Sequence, residues 1–95
     1  MGSLFSKIRR AVREERYVVG RHADERCEQR RITEWQLVAG LEDGILLEER
    51  LHALPNPKVV VRQSLADGTE VEVVWSWLLR EHRAKLVTVY FRNEK

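Results

Sequence analysis

The first third of the chain repeats hydrophobic residues at helical spacing. Apolar side chains recur between Leu4 and Val12 with Arg and Lys between them, which predicts an amphipathic helix over residues 3–15. Its apolar face is expected to cover a sheet, to contact a partner protein or to lie on an anionic membrane surface. A short β-prone run, residues 17–19, follows and ends at Gly20.

Two further helices are predicted before the pattern changes. The stretch from His22 to Arg31 is rich in good helix formers. Thr33 is a suitable N-cap, and Glu34 then stands in the first turn of a helix that ends near Gly40 or Gly44. Four residues are expected to form the buried face of this helix: Trp35, Leu37, Val38 and Leu41.

After Gly44 the hydrophobic period becomes that of strands. Residues 45–51 are predicted to form a strand, a loop with two prolines spans 54–57, and Val59 begins a second strand. Asp67-Gly68 predicts a hairpin turn. The next strand is expected to place Val71, Val73, Trp75 and Trp77 on one face, with Glu70, Glu72 and Ser76 on the other. Residues 86–91 form the last predicted strand, with Val87, Val89 and Phe91 opposite Leu86, Thr88 and Tyr90.

This order of elements predicts an α+β domain. Helices come first and strands follow, so N-terminal helices should pack on an antiparallel, meander-like sheet of about four strands. The 95 residues are enough for one hydrophobic core, and residues 1–95 are therefore expected to form a single domain.

Composition narrows the class of protein further. A content of 43% hydrophobic and 34% charged residues excludes disordered and low-complexity chains. Cys27 is the single cysteine, which excludes an internal disulfide or a multi-cysteine metal site and favours a cytoplasmic location. No apolar run approaches the ~18 residues that a membrane-spanning helix needs.

Charge is distributed unevenly along the chain. The net charge is +2, but residues 1–31 contain nine basic and five acidic side chains, and most of the basic ones are arginines. Arginine suits planar contacts with phosphate, so this part weakly favours a polyanionic partner. Helices with solvated faces of mixed charge explain the same pattern.

The second predicted helix contains a possible phosphate site. His22, Arg26 and Arg30 stand four residues apart and therefore share one helical face. The arginines could hold a phosphate while the imidazole transfers a proton near neutral pH. The alternative is a packing role, in which the arginines pair with sheet acids such as Glu70 or Glu72.

The same segment carries a resemblance to a known family. His-Ala-x-x-Arg-x-x-x-Arg, followed by Ile32-Thr33-Glu34 and closed by Thr88-Val89-Tyr90, resembles the bacterial domain of unknown function four-two-five-eight. The likeness covers residues 17–91 and leaves out the N-terminal helix, residues 1–16. One departure is Arg31, where the family usually has glycine. The layout of that family is similar to the RelE-like and BrnT-like toxin ribonucleases.

By analogy, the resemblance implies a toxin-like endoribonuclease that needs no metal or other cofactor, or a relative that has lost this activity. His22, Arg26 and Tyr90 would then be catalytic, while Arg30, Arg62 and Thr88 would bind the phosphate. The reaction would be attack of a ribose 2′-hydroxyl on the adjacent phosphate. Tyr90 as a half-buried strand residue with no catalytic role remains an alternative.

The remaining candidate residues favour structural roles. Cys27 lies on an apolar stripe and is expected in the core, whereas His52 and His82 are expected at the surface. No pair of histidines has the spacing of metal ligands, so we predict no metal site. Trp75 and Trp77 alternate as core residues do, although exposed they would offer a base-stacking platform.

Three classes of function are therefore open: the ribonuclease, a non-catalytic module that binds RNA or protein, and a structural or oligomerising domain. The expected partners are RNA and an antitoxin or other protein, and a homo-oligomer is a further possibility. No membrane-spanning segment is expected.

Overall fold

The structure of the protein is a computed structural model, which describes residues 3–92. Within that range, helices precede the main strands, as the hydrophobic pattern predicts. The elements are α1 (Ser3–Arg13), β1 (Tyr17–Val19), α2 (Arg21–Arg30), α3 (Glu34–Gly40), a 3-10 turn (Leu41–Asp43), β2 (Ile45–Arg50), β3 (Lys58–Ser64), β4 (Glu70–Leu78) and β5 (Arg83–Phe91).

The five strands form one mixed sheet in the order β1-β5-β4-β3-β2. Strands β2 to β5 form the predicted antiparallel meander. Strand β1 adds a fifth member, parallel to β5, with Tyr17 opposite Ala84 and Val19 opposite Leu86. The α+β class is thus confirmed, and the sheet has one strand more than predicted. Strand β1 has only three residues and its partner strand is distant in the sequence, so the local sequence does not indicate that the two strands pair.

The hydrophobic core lies between the helices and one face of the sheet. The apolar face of α1 is part of this core, since Leu4, Ile8 and Val12 are buried in it. The predicted inner face of β4 is confirmed, and all four of its residues are buried: Val71, Val73, Trp75 and Trp77. No helix of residues 3–92 is long and apolar enough to cross a membrane.

Helix α3 is anchored to the sheet by a polar link inside the core. Trp75 Nε1 donates to Gln63 Oε1 at 2.9 Å, and Gln63 Nε2 donates to the Leu37 carbonyl at 2.8 Å. The prediction that Trp35 is buried is wrong, because its exposed fraction is 72%. Trp35 and Leu37 are two residues apart, about 200° around a helix, so only one of them can face the sheet.

A β-bulge at Val87 sets the faces of β5. Val74 pairs with Thr88 but Trp75 pairs with Leu86, so Val87 is left without a partner. This extra residue reverses the alternation. Leu86 therefore faces the core together with Val89, contrary to the prediction for Leu86.

Two turns place the ends of the elements. The predicted hairpin has Gly68 at a φ of 89°, and Asp67 Oδ1 accepts a hydrogen bond from Thr69 N at 3.0 Å. Helix α2 ends on Arg31, whose φ of 57° lies in the left-handed region. Glycine favours this conformation, whereas an arginine adopts it only at a cost in backbone strain.

Candidate functional site

The face of the sheet opposite the helices carries a row of polar side chains. Arg62 on β3 is opposite Glu72 on β4, which in turn is opposite Tyr90 on β5. Side chains directly opposite each other have Cβ atoms about 4.5–5.5 Å apart. We call this side of the sheet the helix-free face. The pairing register therefore places an arginine, a carboxylate and a phenol next to one another on it.

A cleft of about 330 Å³ opens on the helix-free face. Its apolar floor consists of Val60 and Val74, which are buried but lie outside the core cluster. Polar side chains supply the rest of the lining: Arg50, Glu72 and Tyr90. Glu72 is only 8% exposed, so the cleft surrounds a nearly buried carboxyl group.

Arg50 brings a guanidinium group to this cleft from β2. Its Nε atom donates to Glu48 Oε2 at 2.8 Å, and both side chains are about half exposed. The hydrogen bond that Arg50 donates to Glu48 is the main cause that raises the pKa of Arg50. An exposed ion pair of this kind contributes little stability, so its arginine can exchange Glu48 for another anion at small cost.

Helix α2 lies beside the part of β5 that β1 does not reach. β1 pairs only with residues 84–86, and farther along β5 the Arg26 Nε atom donates to the Val89 carbonyl at 3.1 Å. The Arg26 guanidinium also lies over the Tyr90 ring, 5.7 Å from its centroid. Two of the residues predicted to be catalytic, Arg26 and Tyr90, are thus brought together at the rim of the helix-free face.

The other predicted site residues are distributed around this pair. Arg62 belongs to the polar row, and Thr88 shares the helix-free face with Tyr90. Thr88 is 5% exposed, and its hydroxyl has no hydrogen-bond partner among the described residues. The Arg30 guanidinium lies over the Phe91 ring, 5.3 Å from its centroid. Phe91 packs against the core, so Arg30 lies on the core side of the sheet. His22 is exposed in the first turn of α2, one helical turn before Arg26.

Sequence reasoning missed Glu72 and Arg50. Alternation correctly placed Glu72 on the face opposite the core residues of β4, but alternation alone does not show whether such a position lies in solvent or in a cleft. The hairpin contained a partial signal, because counting outward from a two-residue Asp67-Gly68 turn places Glu72 opposite Gln63, one residue away from its actual partner Arg62. Arg50 stands at the end of an edge strand and has no comparable signal.

Four of the eight arginines in residues 1–31 form ion pairs within the molecule. Arg13 and Arg9 bind Glu42 at 2.7 and 3.1 Å, while the nearby Glu14 accepts from two further arginines. The hydrogen bond from Arg13 is the main cause that lowers the pKa of Glu42. The excess of basic residues in this part therefore marks internal ion pairs more than a surface for phosphate.

The remaining candidates have the predicted structural roles. Cys27 is buried, and burial raises the pKa of its thiol, which makes it unreactive. His52 and His82 are exposed. Within residues 3–92, no three or more His, Cys, Asp and Glu side chains group closely enough to hold a metal ion.

Comparison with known proteins places the chain in a family. The family model described as Domain of unknown function (DUF4258) matches residues 19–91, which run from the end of β1 to the end of β5. Searches of the curated proteins and of the solved structures gave no significant match. Since the matched segment covers well over half of the 95 residues, the chain belongs to the family of the domain of unknown function DUF4258.

Proposed function

We propose that the protein cleaves RNA without a metal ion, at the cleft on the helix-free face. The observation that carries this proposal is the row in which the Glu72 carboxyl lies between Arg62 and Tyr90, with Arg50 in the same cleft. Cleavage by a ribose 2′-hydroxyl needs an acceptor for one proton, a donor for another and positive charge around the phosphate. These side chains supply all three.

Arg50 and Arg62 bind the phosphate in this mechanism. Guanidinium groups form paired hydrogen bonds to phosphate oxygens and offset the negative charge that develops on them during attack. Arg50 can leave its exposed partner Glu48 to do so. Arg26, beside Tyr90, adds positive charge at the rim of the cleft.

Glu72 and Tyr90 carry the protons. The Glu72 carboxylate accepts the proton of the 2′-hydroxyl as the 2′-oxygen forms its bond to phosphorus. The bond from phosphorus to the 5′-oxygen of the next nucleotide breaks, and the Tyr90 hydroxyl donates a proton to that oxygen. The products are a 2′,3′-cyclic phosphate and a free 5′-hydroxyl, so the atoms and charges balance.

His22 offers a second version of the proton transfer. It is exposed on α2, one turn before Arg26, and an imidazole can both accept and donate a proton. His22→Ala distinguishes the two versions. Loss of cleavage in this variant assigns a proton transfer to the imidazole, whereas unchanged cleavage leaves both transfers with Glu72 and Tyr90.

The test is cleavage of an end-labelled single-stranded RNA in the presence of EDTA, with the cyclic phosphate end as the readout. Tyr90→Phe and Glu72→Gln should each slow cleavage about 100-fold or more. Arg50→Ala should have an effect of similar size. Tyr17→Phe is the matched control, because Tyr17 packs against the core on β1.

Two controls keep this test specific. An RNA with a 2′-deoxy sugar at the cleaved position must be resistant, which separates this reaction from hydrolysis by a contaminating metal-dependent nuclease. Arg10→Ala removes an exposed arginine on α1 and should leave the rate unchanged. Absence of cleavage, or wild-type rates in both Tyr90→Phe and Glu72→Gln, would overturn the proposal.

A toxin-like ribonuclease should be toxic to a cell that expresses it. Unregulated cleavage of cellular RNA predicts that expression of the protein in a bacterium arrests growth. Tyr90→Phe, expressed to the same level, should relieve the arrest. Equal arrest by both proteins would assign the toxicity to something other than cleavage at this cleft.

Self-association is a second candidate function, supported by a different surface. Strand β2 is the last strand of the sheet, and its neighbourhood exposes Ile45, Leu47 and Leu51. An antiparallel second copy of β2 could place Glu48 of each copy opposite Arg50 of the other. Light scattering should then give the mass of a dimer, and Leu47→Lys should give a monomer. A monomeric wild-type protein at high concentration would remove this candidate.

A further inference from the structure

A second and larger cavity, of about 650 Å³, lies at one end of the helix-free face. Lys85 of β5 and Arg80 of the β4–β5 turn line it from the sheet side. The loop between β2 and β3 forms the opposite wall through Asn56, whose Oδ1 atom accepts a hydrogen bond from Leu79 N at 3.1 Å. This bond ties the two walls of the cavity together.

Unlike the ion-paired arginines of α1, the cations of this cavity have no partner among residues 3–92. Neither Lys85 nor Arg80 takes part in an ion pair or hydrogen bond with any residue that the structure describes. Glu81 is the one acidic residue of the lining. The charges of Lys85 and Arg80 are therefore available to an external anion.

Lys85 is held at the cavity wall by a close backbone approach. A Cβ atom on Gly20 would lie 2.8 Å from Lys85 Cε and 3.7 Å from Lys85 Nζ. The lysine stem thus packs over Gly20, and the side chain is only partly exposed. Packing of the stem fixes the position of the ammonium group and lowers the entropy that it loses on binding.

The cavity and the cleft lie along the same strand. Lys85 pairs with Ser76 of β4, and Tyr90 pairs with Glu72, so the two sites are four β4 residues apart. At the rise of a strand this is about 13 Å. Lys58 pairs with Ser76 from the other side and adds a third cation next to the path between the sites.

We infer that this cavity binds a phosphate of the RNA strand other than the one that is cleaved. The inference rests on the proposed function for the identity of the ligand, and it adds a substrate class. The substrate is single-stranded RNA that extends beyond the two nucleotides flanking the cleaved bond. Lys85 and Arg80 are positioning residues in this scheme, because they contact a phosphate that does not react.

Binding of a non-cleavable RNA tests this inference independently of catalysis. The probe is a fluorescent single-stranded oligonucleotide with 2′-O-methyl sugars, which lacks the attacking hydroxyl, and anisotropy is measured over a series of salt concentrations. Lys85→Gln and Arg80→Gln should each weaken binding about 5-fold or more. Each should also lower the slope of log K against log salt by about 0.7, the value for one lost phosphate contact on a single strand.

Arg10→Gln is the matched control, because this arginine is exposed but engaged by Glu14 on α1. Its affinity and salt slope should equal those of the wild type, and melting temperatures of all variants confirm that they fold. A dinucleotide probe should bind equally to the wild type and to Lys85→Gln. Wild-type affinity and slope in both cavity variants, or no binding of the oligonucleotide, would overturn the inference.

The two proposals fail in different ways. Cleavage that depends on Tyr90, together with normal binding by the cavity variants, keeps the ribonuclease and removes the second phosphate site. Salt-dependent binding that is lost in Lys85→Gln, without any cleavage, keeps the phosphate site and makes the protein a non-catalytic RNA-binding module.

Discussion

Arg26 donates a hydrogen bond from its Nε atom to the main-chain carbonyl of Val89, 3.1 Å away. This carbonyl lies on the part of β5 that β1 leaves without a neighbouring strand. An unpaired carbonyl at a partly buried sheet edge is unfavourable, so the arginine side chain replaces the missing strand at this position. Arg26 therefore has a structural role that does not depend on any RNA.

Arg26→Ala is expected to lower the free energy of unfolding by about 1–3 kcal/mol, since hydrogen bonds from charged donors are among the stronger ones. Arg26→Lys should recover part of this loss through its remaining positive charge. Urea denaturation measures both effects. Arg10→Ala, at an exposed ion pair of α1, should change the stability by less than about 0.5 kcal/mol. Equal stability of Arg26→Ala and the wild type would contradict the structural role.

Arg31→Gly is expected to stabilise the protein. Arg31 ends α2 with a φ of 57°, a conformation that is strained for arginine and free of strain for glycine. Relief of this strain stabilises the folded state, but glycine also increases the entropy of the unfolded chain and offsets part of the effect. The net gain should be about 0.5–1 kcal/mol. Thermal denaturation measures it, with Arg31→Ala as the control that removes the side chain and keeps the strain. A gain of equal size in both variants would assign it to charge and not to backbone conformation.

Gln63→Leu is expected to be strongly destabilising although it places an apolar residue in the core. It removes the acceptor of the Trp75 indole and the donor to the Leu37 carbonyl, and both groups stay buried. The expected cost is about 2–4 kcal/mol in urea denaturation. Ser64→Ala, at the next and exposed position, should have little effect. A neutral result for Gln63→Leu would mean that water or a shifted side chain satisfies both groups.

The ion pairs of Glu42 predict a pH-dependent difference between the wild type and Glu42→Gln. Arg13, and then Arg9, holds the pKa of the Glu42 carboxyl below its ordinary value in the folded protein. The stability from these pairs is therefore present above the ordinary pKa of glutamate and is lost as the pH falls through the lowered folded value. The melting temperature of Glu42→Gln should lie below that of the wild type at pH 7.

The difference in melting temperature should narrow as the pH falls below about 4. There the wild-type carboxyl becomes protonated and is then uncharged, like the glutamine of the variant. Glu25→Gln, at an exposed position on α2, is the control and should show no such change. A melting-temperature difference for Glu42→Gln that stays constant from pH 7 to pH 3 would show that its cause is not the charge of Glu42.

Much of the fold could be predicted from local patterns. The period-two alternation of β4 and the Asp-Gly turn depend only on neighbouring residues, and both predictions are confirmed. Strand β1 and the bulge at Val87 could not be predicted in the same way. Each depends on a partner strand that the local sequence does not specify, and the bulge then changes which face Leu86 occupies.

The candidate site could also be predicted only where it depends on local sequence. Helical spacing put Arg26 on the correct side of α2, and its contact with Tyr90 joins two predicted residues. The Glu72 carboxyl could not be found by type or spacing, because its burial results from neighbours on three different strands. Lys85 and Arg80, which have no partner among residues 3–92, did not stand out in the sequence because the first third of the chain contains many more arginines.

The parallel pairing of β1 with β5 has a consequence for synthesis. Residues 17–19 leave the ribosome well before their partner residues 84–86. The apolar face of α1 also packs on β4 and β5, so it stays exposed until these strands have emerged. The complete sheet therefore cannot form before β5 has emerged, and until then the nascent N-terminal segment exposes apolar surface that a chaperone can cover.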